Sequence, residues 1–187
     1  MRVAVVGGTG DFGLALARRL AEAGDEVVIG SRDAERAQAT ARETGAAAGA
    51  VNEEAVAGAE LVVLATKADA ALATAASLAA AIGETPLLSV ASALRFGPSG
   101  VLPAEEARSL AAGKLAQGRP AEDALVCGDD PEAKALALEL AAKVVAGRAL
   151  DAGPLAGARA LEGLTAVIVN LNRRYRGHAG LRLTGLP

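Results

Sequence analysis

The stretch R-V-A-V-V-G-G-T-G-D-F-G, residues 2–13, decides the fold. Its first five residues form an apolar run that ends in glycine, the pattern of a strand buried on both faces. Gly8, Gly10 and Gly13 then fall at G-x-G-x-x-G spacing, and the following residues predict a helix over 12–23 with Gly24 as its stop. Between a strand and a helix, that spacing cradles the pyrophosphate of a dinucleotide. Gly8 permits the tight turn, Gly10 lets the backbone approach the phosphates, and Gly13 allows the helix to pack against the strand. Thr9, Asp11 and Phe12 complete the turn, and the phosphates would meet the positive end of the helix with its unpaired N–H groups.

The alternation of strand and helix continues outward. Residues 26–29 (E-V-V-I) predict a second strand, Asp33 caps a helix closed by Gly45, and residues 46–50 carry a weakly patterned third strand. A short helical link over 52–59, a strand over 60–66, a helix over 69–82 and a strand over 87–91 follow. This order implies an α/β, Rossmann-like doubly wound parallel sheet with right-handed crossovers. Past residue 92 the pattern loosens. The stretch S-A-L-R-F-G-P-S-G-V-L-P reads as turn chemistry, and 104–116 as helix. A short strand over 124–127, a helix capped by Asp130 with Pro131 in first position, an extended stretch over 148–151 and a helix over 156–174 complete the chain. Leu161, Leu164, Ile168 and Leu171 recur on that last helix at helical spacing, as for a core or a dimer surface.

Composition narrows the function classes. The 187 residues are 52% hydrophobic and 22% charged, enough for one sizeable domain with an appendage and no need of metals or disulfides. A net charge of -3 and a pI near 5.3 argue against nucleic-acid binding. One cysteine, Cys127, excludes an internal disulfide and suits a reducing cytoplasm. The apolar runs are too short and too interrupted for a membrane span, and no signal peptide is expected ahead of the first motif.

The choice of nucleotide rests on G-S-R, residues 30–32. An acidic residue at the end of the second strand would bond the ribose 2′-hydroxyl of NAD and repel a 2′-phosphate. Ser31 and Arg32 offer a hydroxyl and a guanidinium in its place, and Arg36 lies one helical turn further on. These residues point to NADP. The competing reading is a solvated basic helix start with Asp33 and Glu35 as neighbours.

With these residues in view, the chain resembles the NADP-dependent reductases of the deazaflavin coenzyme F420. The likeness runs from R-V-A-V-V-G-G-T-G and V-V-I-G-S-R to V-C-G-D-D (126–130), D-A-G-P-L (151–155) and R-A-L-E-G-L-T-A-V-I-V-N (159–170). It implies hydride transfer between nicotinamide and deazaflavin stacked in one cleft, with NADP and F420 as the small-molecule partners and no catalytic side chain. The absence of a Ser–His–Asp set or metal-ligand spacing agrees with that chemistry. The resemblance also carries Thr66 and Lys67 to the ribose and nicotinamide side, and Val90 and Ala91 to the strand beneath the nicotinamide. It implies a dinucleotide-binding domain over 1–125 and an extension over 126–187 that completes the acceptor cleft and makes a homodimer contact. One departure stands out. Family members have a further strand before the position of S-L-A-A-G-K-L, whereas here P-A-E-E-A runs directly into Arg108 and Ser109. Two other readings therefore stay open: an NADPH-dependent reductase of a flavin, quinone or imine, and an NADP-binding or sensing protein without turnover.

Further residues invite attention. Arg173, Arg174, Arg176, His178 and Arg182 form a basic cluster that suits either a solvated helix end or the phosphate and carboxylates of the coenzyme tail. Cys127 reads as a packed thiol, Asp129 and Asp130 as capping carboxylates, and Gly153–Pro154 as a turn.

Overall fold

The computed structural model describes residues 1–90, 94–97, 100–103 and 112–186. Internal contacts divide the chain into two compact units, Met1–Ala91 with Ala111–Arg119, and Ser92–Leu110 with Pro120–Pro187.

The first unit holds β1 (Arg2–Val6), α1 (Asp11–Glu22), β2 (Glu26–Ser31), α2 (Ala34–Thr44), β3 (Ala48–Val51), α3 (Asn52–Val56), β4 (Leu61–Leu64), α4 (Ala68–Ile82) and β5 (Leu87–Ser89). All five strands are parallel, in the order β3-β2-β1-β4-β5. The central strands are runs of valine, isoleucine, leucine and alanine because helices cover both of their faces. On one face Ala4, Val6, Val62 and Leu64 pack with Val56 of α3 and with Leu78 and Ile82 of α4. Leu16 and Leu20 of α1 are fully buried as well. Asp33 caps α2 as expected, accepting from the Arg36 N–H at 3.1 Å, and Gly45 ends that helix in left-handed backbone. A last helix of this unit, α5 (Ala112–Gln117), is tied to α1 by Arg19, whose guanidinium donates to the carbonyls of Leu115 and Ala116. The expected helix over 104–116 overlaps it, and residues 104–111 lie outside the described residues.

The second unit corrects one expectation. Part of the stretch read as turn chemistry is an antiparallel hairpin, β6 (Leu94–Gly97) and β7 (Gly100–Pro103), with Gly97 opposite Gly100. Glycine, proline and serine dominate the sequence there, and each flank is too short to show an alternating period. Beyond it come β8 (Ala124–Val126), α6 (Pro131–Val144), β9 (Ala149–Asp151), a 3-10 turn at Leu155–Gly157 and α7 (Ala158–Tyr175). β8 and β9 pair in parallel, and Asp130 caps α6 through the Ala133 N–H at 2.7 Å.

Asp123 ties this unit to its own C-terminal tail. Its carboxylate accepts from the Arg148 N–H, the Arg148 guanidinium and the Leu183 N–H, each at 2.9 Å. Its own N–H donates to the Leu181 carbonyl, and the Arg148 guanidinium also donates to the Leu183 carbonyl. The Arg148 side chain, with the two backbone donors, holds the Asp123 carboxyl well below the usual carboxylate range. A group depressed in this way contributes stability that is complete above the ordinary aspartate pKa near ~4 and is lost as pH falls below it. Asp123→Asn is therefore expected to unfold at lower urea than the parent at pH 7. The gap between the two midpoints should close as the pH is lowered through ~4 and beyond.

Candidate cofactor site

The strand order turns back between β1 and β4, since β1 leads on to β2 on one side while β4 leads on to β5 on the other. In sheets of this class ligands bind beyond the carboxyl ends of the strands at such a reversal. The glycine turn leaves β1 at this point, and Ala65 and Thr66 leave β4 beside it.

The turn is built by close backbone packing. Gly7 takes left-handed backbone (φ 82°), its N–H donates to the Gly30 carbonyl at 3.1 Å, and the N–H groups of Gly8 and Gly10 close on the carbonyls of Val5 and Gly7. The sequence assigns the tight turn to Gly8, whereas the left-handed residue is Gly7, because the parallel ladder of β1 ends at Val6. A Cβ on Gly13 would lie 2.5 Å from the Gly7 oxygen and 2.6 Å from the Gly8 Cα. A Cβ on Gly10 would meet only the Gly7 oxygen, at 3.6 Å, and Gly10 has backbone angles open to any residue (φ −86°, ψ 163°). Packing within the protein thus accounts for glycine at 13 and gives no reason for it at 10. Gly10 is exposed at the start of α1, no side chain caps that helix, and the first intrahelical bond is Leu14 N–H to Gly10 carbonyl. The N–H groups of the first turn are left facing outward, as an anion requires. Thr9 and Phe12 are half-buried, and Asp11 is exposed on the first turn.

Ser31, Arg32 and Arg36 lie beside this turn. Ser31 is buried at the end of β2, where its Oγ accepts from the Asp33 N–H at 3.2 Å and keeps its own hydrogen to donate. Arg36 crosses from α2 to the glycine turn, its guanidinium donating to the Thr9 carbonyl at 3.2 Å. Arg32 is exposed and makes no ion pair or hydrogen bond with another described residue. The Asp33 carboxylate is occupied by the cap of α2, so no acid pairs with either arginine among the described residues. A hydroxyl donor and two guanidiniums beside an open helix N-terminus fit the 2′-phosphate and pyrophosphate of NADP.

Thr66 stands against Gly7, with its N and Cγ2 2.9 and 3.0 Å from a Cβ built there, and Lys67 is exposed at the N-cap of α4. Val90 directly follows β5 and donates its N–H to the Leu64 carbonyl, while Ala91 lies outside the described residues. Three buried side-chain oxygens at this edge have no partner among the described residues: Asn52 Oδ1 after β3, Thr66 Oγ1 after β4 and Ser89 Oγ at the end of β5. Buried polar atoms are normally bonded, so their position past successive strands fits a ligand that supplies the missing partners. Sequence reasoning found Thr66 and missed Asn52 and Ser89. Ser89 was open to notice, as the one hydroxyl in the apolar run L-L-S-V-A.

In the second unit, V-C-G-D-D and D-A-G-P-L form one seam. The N–H groups of Ala152, Gly128 and Leu155 donate to the Val126 carbonyl, the Gly153 carbonyl and the Asp129 carboxylate, at 2.8, 3.1 and 2.9 Å. Lys134 pairs with Asp151 at 2.9 Å. Burial, aided by the Asp151 charge, pushes the Cys127 thiol up, and the thiol donates weakly to the Ala152 carbonyl. Cys127 is a packed thiol, not an activated one.

The family model described as "NADP oxidoreductase coenzyme F420-dependent" matches residues 2–93. The F420-dependent NADP reductases of Methanothermobacter marburgensis and Methanothermobacter thermautotrophicus are 36% and 35% identical, over alignments that take in 100% of this chain and 100% and 96% of theirs. The chain belongs to the coenzyme F420-dependent NADP oxidoreductase family. Those alignments run over 223 positions against 187 residues here, so its relatives in the family carry segments that this chain lacks. A solved structure provisionally assigned as an F420-dependent NADP reductase from Arthrobacter sp. FB24 superposes with a TM-score of 0.79 at 25% identity, covering 99% of this chain and 100% of that one.

Gly10→Ala is expected to shift folding stability by no more than about 1 kcal/mol, the scale of an N-cap change. The same substitution should weaken NADPH binding roughly tenfold, because its methyl occupies the approach to the helix end. Arg36→Ala should raise the Kd for NADPH roughly tenfold and change that for NADH by less than about twofold. Both are read by titrating nucleotide fluorescence, and equal losses for NADPH and NADH in Arg36→Ala would refute a 2′-phosphate role.

Proposed function

We propose that this chain transfers a hydride between NADP(H) and coenzyme F420. The observation that carries the reading is the full-length likeness to F420-dependent NADP reductases, joined to the Arg36 guanidinium held on the glycine turn at the Thr9 carbonyl. When bound, the nicotinamide supplies or accepts the hydride and the deazaflavin ring is its counterpart. The protein's own part is to hold and orient, which is where much of the rate advantage of such a reaction arises.

In this reading the backbone of residues 8–12 and the first turn of α1 hold the pyrophosphate, while Ser31, Arg32 and Arg36 hold the 2′-phosphate. Thr66, Lys67 and Val90 line the ribose and nicotinamide side, and the oxygens of Asn52 and Ser89, unpartnered among the described residues, add to that edge. No side chain is required to move a proton at the reacting carbons. A cytoplasmic setting suits the lone thiol and the soluble nucleotide, and among the described residues no helix is long and apolar enough to cross a membrane.

A homodimer through α7 belongs to the same proposal. Leu164, Val167, Leu171 and Tyr175 lie at helical spacing on that helix and are all exposed, while Leu161 and Ile168 are half-buried. An apolar face of this kind favours burial against a second copy.

Two measurements test these statements. Mixed with oxidised F420, the protein should consume NADPH and bleach the deazaflavin in equal amounts, and deuterium placed on the nicotinamide carbon that donates the hydride should appear in the reduced coenzyme. Binding of NADPH without bleaching would leave a nucleotide-binding protein and refute the reductase. For the dimer, Val167→Glu with Leu171→Glu should convert a two-chain species to a single chain in sedimentation. A parent that already sediments as one chain would refute it.

A further inference from the structure

One buried oxygen beside the G-S-R residues forms no bond within the described protein. Ser31 pairs with Val51 in the β2–β3 ladder, so Arg32 and Asn52 are the next residues along the two neighbouring strands. The Asn52 carboxamide lies over Gly30. A Cβ built on Gly30 would stand 3.0 Å from Asn52 Oδ1 and 3.3 Å from both the Ala55 Cβ and the Val6 Cα. The Gly30 carbonyl in turn receives the Gly7 N–H at 3.1 Å, so the carboxamide sits where G-S-R meets the glycine turn. Yet Oδ1 is buried and has no hydrogen-bond partner among the described residues. Nor does Asn52 cap its helix, because Val51 holds the N-cap position of α3 and no side chain bonds there.

Packing alone gives no reason for an amide at this place, since leucine has similar bulk and leaves no oxygen unbonded. The missing partner is a donor, because a carboxamide oxygen only accepts. That excludes the phosphates of a dinucleotide, whose charged oxygens accept and suit Ser31, Arg32 and Arg36 instead. The strand order also sets Asn52 apart from Thr66 and Ser89, which follow β4 and end β5 on the other side of the turn. With neighbouring strands about 4.8 Å apart, the ends of β3 and β5 are separated by roughly 19 Å, so Asn52 and Ser89 cannot share one small group. Asn52 belongs with the 2′-phosphate residues.

We infer that the Asn52 carboxamide accepts a hydrogen bond from the 3′-hydroxyl of the adenosine ribose, resting on the 2′-phosphate site proposed above. On a 2′-phosphorylated ribose that hydroxyl is the one donor the sugar retains, and it stands on the carbon next to the phosphate. The adenine amino group, the other donor of that half, is at the end of the base away from the sugar. Asn52 is half-buried, and rotation about its soft χ2 torsion brings Oδ1 to the nucleotide. A carboxylate here would also bond the hydroxyl, but it would repel the neighbouring phosphate. Asparagine supplies the acceptor without the charge.

The probes are adenosine 2′,5′-bisphosphate, its 3′-deoxy form and adenosine 5′-phosphate, titrated calorimetrically against the parent, Asn52→Ala and Asn52→Asp. The parent should bind the bisphosphate about fivefold more tightly than the 3′-deoxy form, the scale of one neutral hydrogen bond. Asn52→Ala should bind the two alike, at the parent's affinity for the 3′-deoxy form. Asn52→Asp should keep the preference for the hydroxyl while its charge weakens both ligands. Without nucleotide, Asn52→Ala should melt within about 2 °C of the parent, because an unbonded oxygen holds nothing together. Equal affinity of the parent for the two bisphosphates would overturn the inference and leave the 2′-phosphate site standing. A loss in Asn52→Ala that is the same for both ligands would do so too, and with a large fall in melting temperature it would make Asn52 a structural residue. A parent that does not favour the bisphosphate over adenosine 5′-phosphate would overturn the 2′-phosphate site itself.

Discussion

The backbone of Gly13 lies against Gly7 and Gly8 with no room for a side chain between them, and the nucleotide end of the molecule depends on that approach. It draws the start of α1 up to the turn that leaves β1. The same turn meets Thr66 at the exit of β4. One contact therefore sets three things at once: the direction of the helix dipole, the position of the unpaired N–H groups, and the closeness of the two strands between which the sheet reverses. Arg36 then fastens α2 to the same turn through the Thr9 carbonyl. A guanidinium already held at the turn needs little reorganisation when a phosphate arrives, and less ordering entropy stands against binding.

The second unit is held differently. Its β8–β9 pair is short, so side chains do much of the joining. Lys134 and Asp151 couple α6 to β9, Asp129 receives the N–H of Leu155, and Asp123 with Arg148 secures the tail. The blocks V-C-G-D-D and D-A-G-P-L, which carry much of the family likeness, are the two sides of this seam. Gly153 in left-handed backbone and Pro154 at the start of the 3-10 turn give the second block its shape.

Much of this was legible in the sequence, and the unread parts have physical causes. The run R-V-A-V-V, the glycine spacing and the Asp33 and Asp130 caps each act over a few residues, so a local reading finds them. Helical spacing set Arg36 one turn beyond Arg32, but its reach to the Thr9 carbonyl of the glycine turn was not in that reading. The hairpin at 94–103 escaped because its strands are four residues each and its glycines speak louder than its flanks. Gly7 escaped because the motif's pattern begins at Gly8, while the left-handed residue depends on where the β1 ladder stops. Asn52 and Ser89 escaped for a deeper reason. An unpartnered buried oxygen is a property of everything around it, and no window of sequence contains that.

The chain has no tryptophan and a single tyrosine. Tyr175 stands 71% exposed at the end of α7, under the guanidinium of Arg174. Excited at the red edge of tyrosine absorption, where Phe12 and Phe96 do not absorb, its emission is a signal with one source. The molecule thus carries its own dye at the foot of its cationic segment.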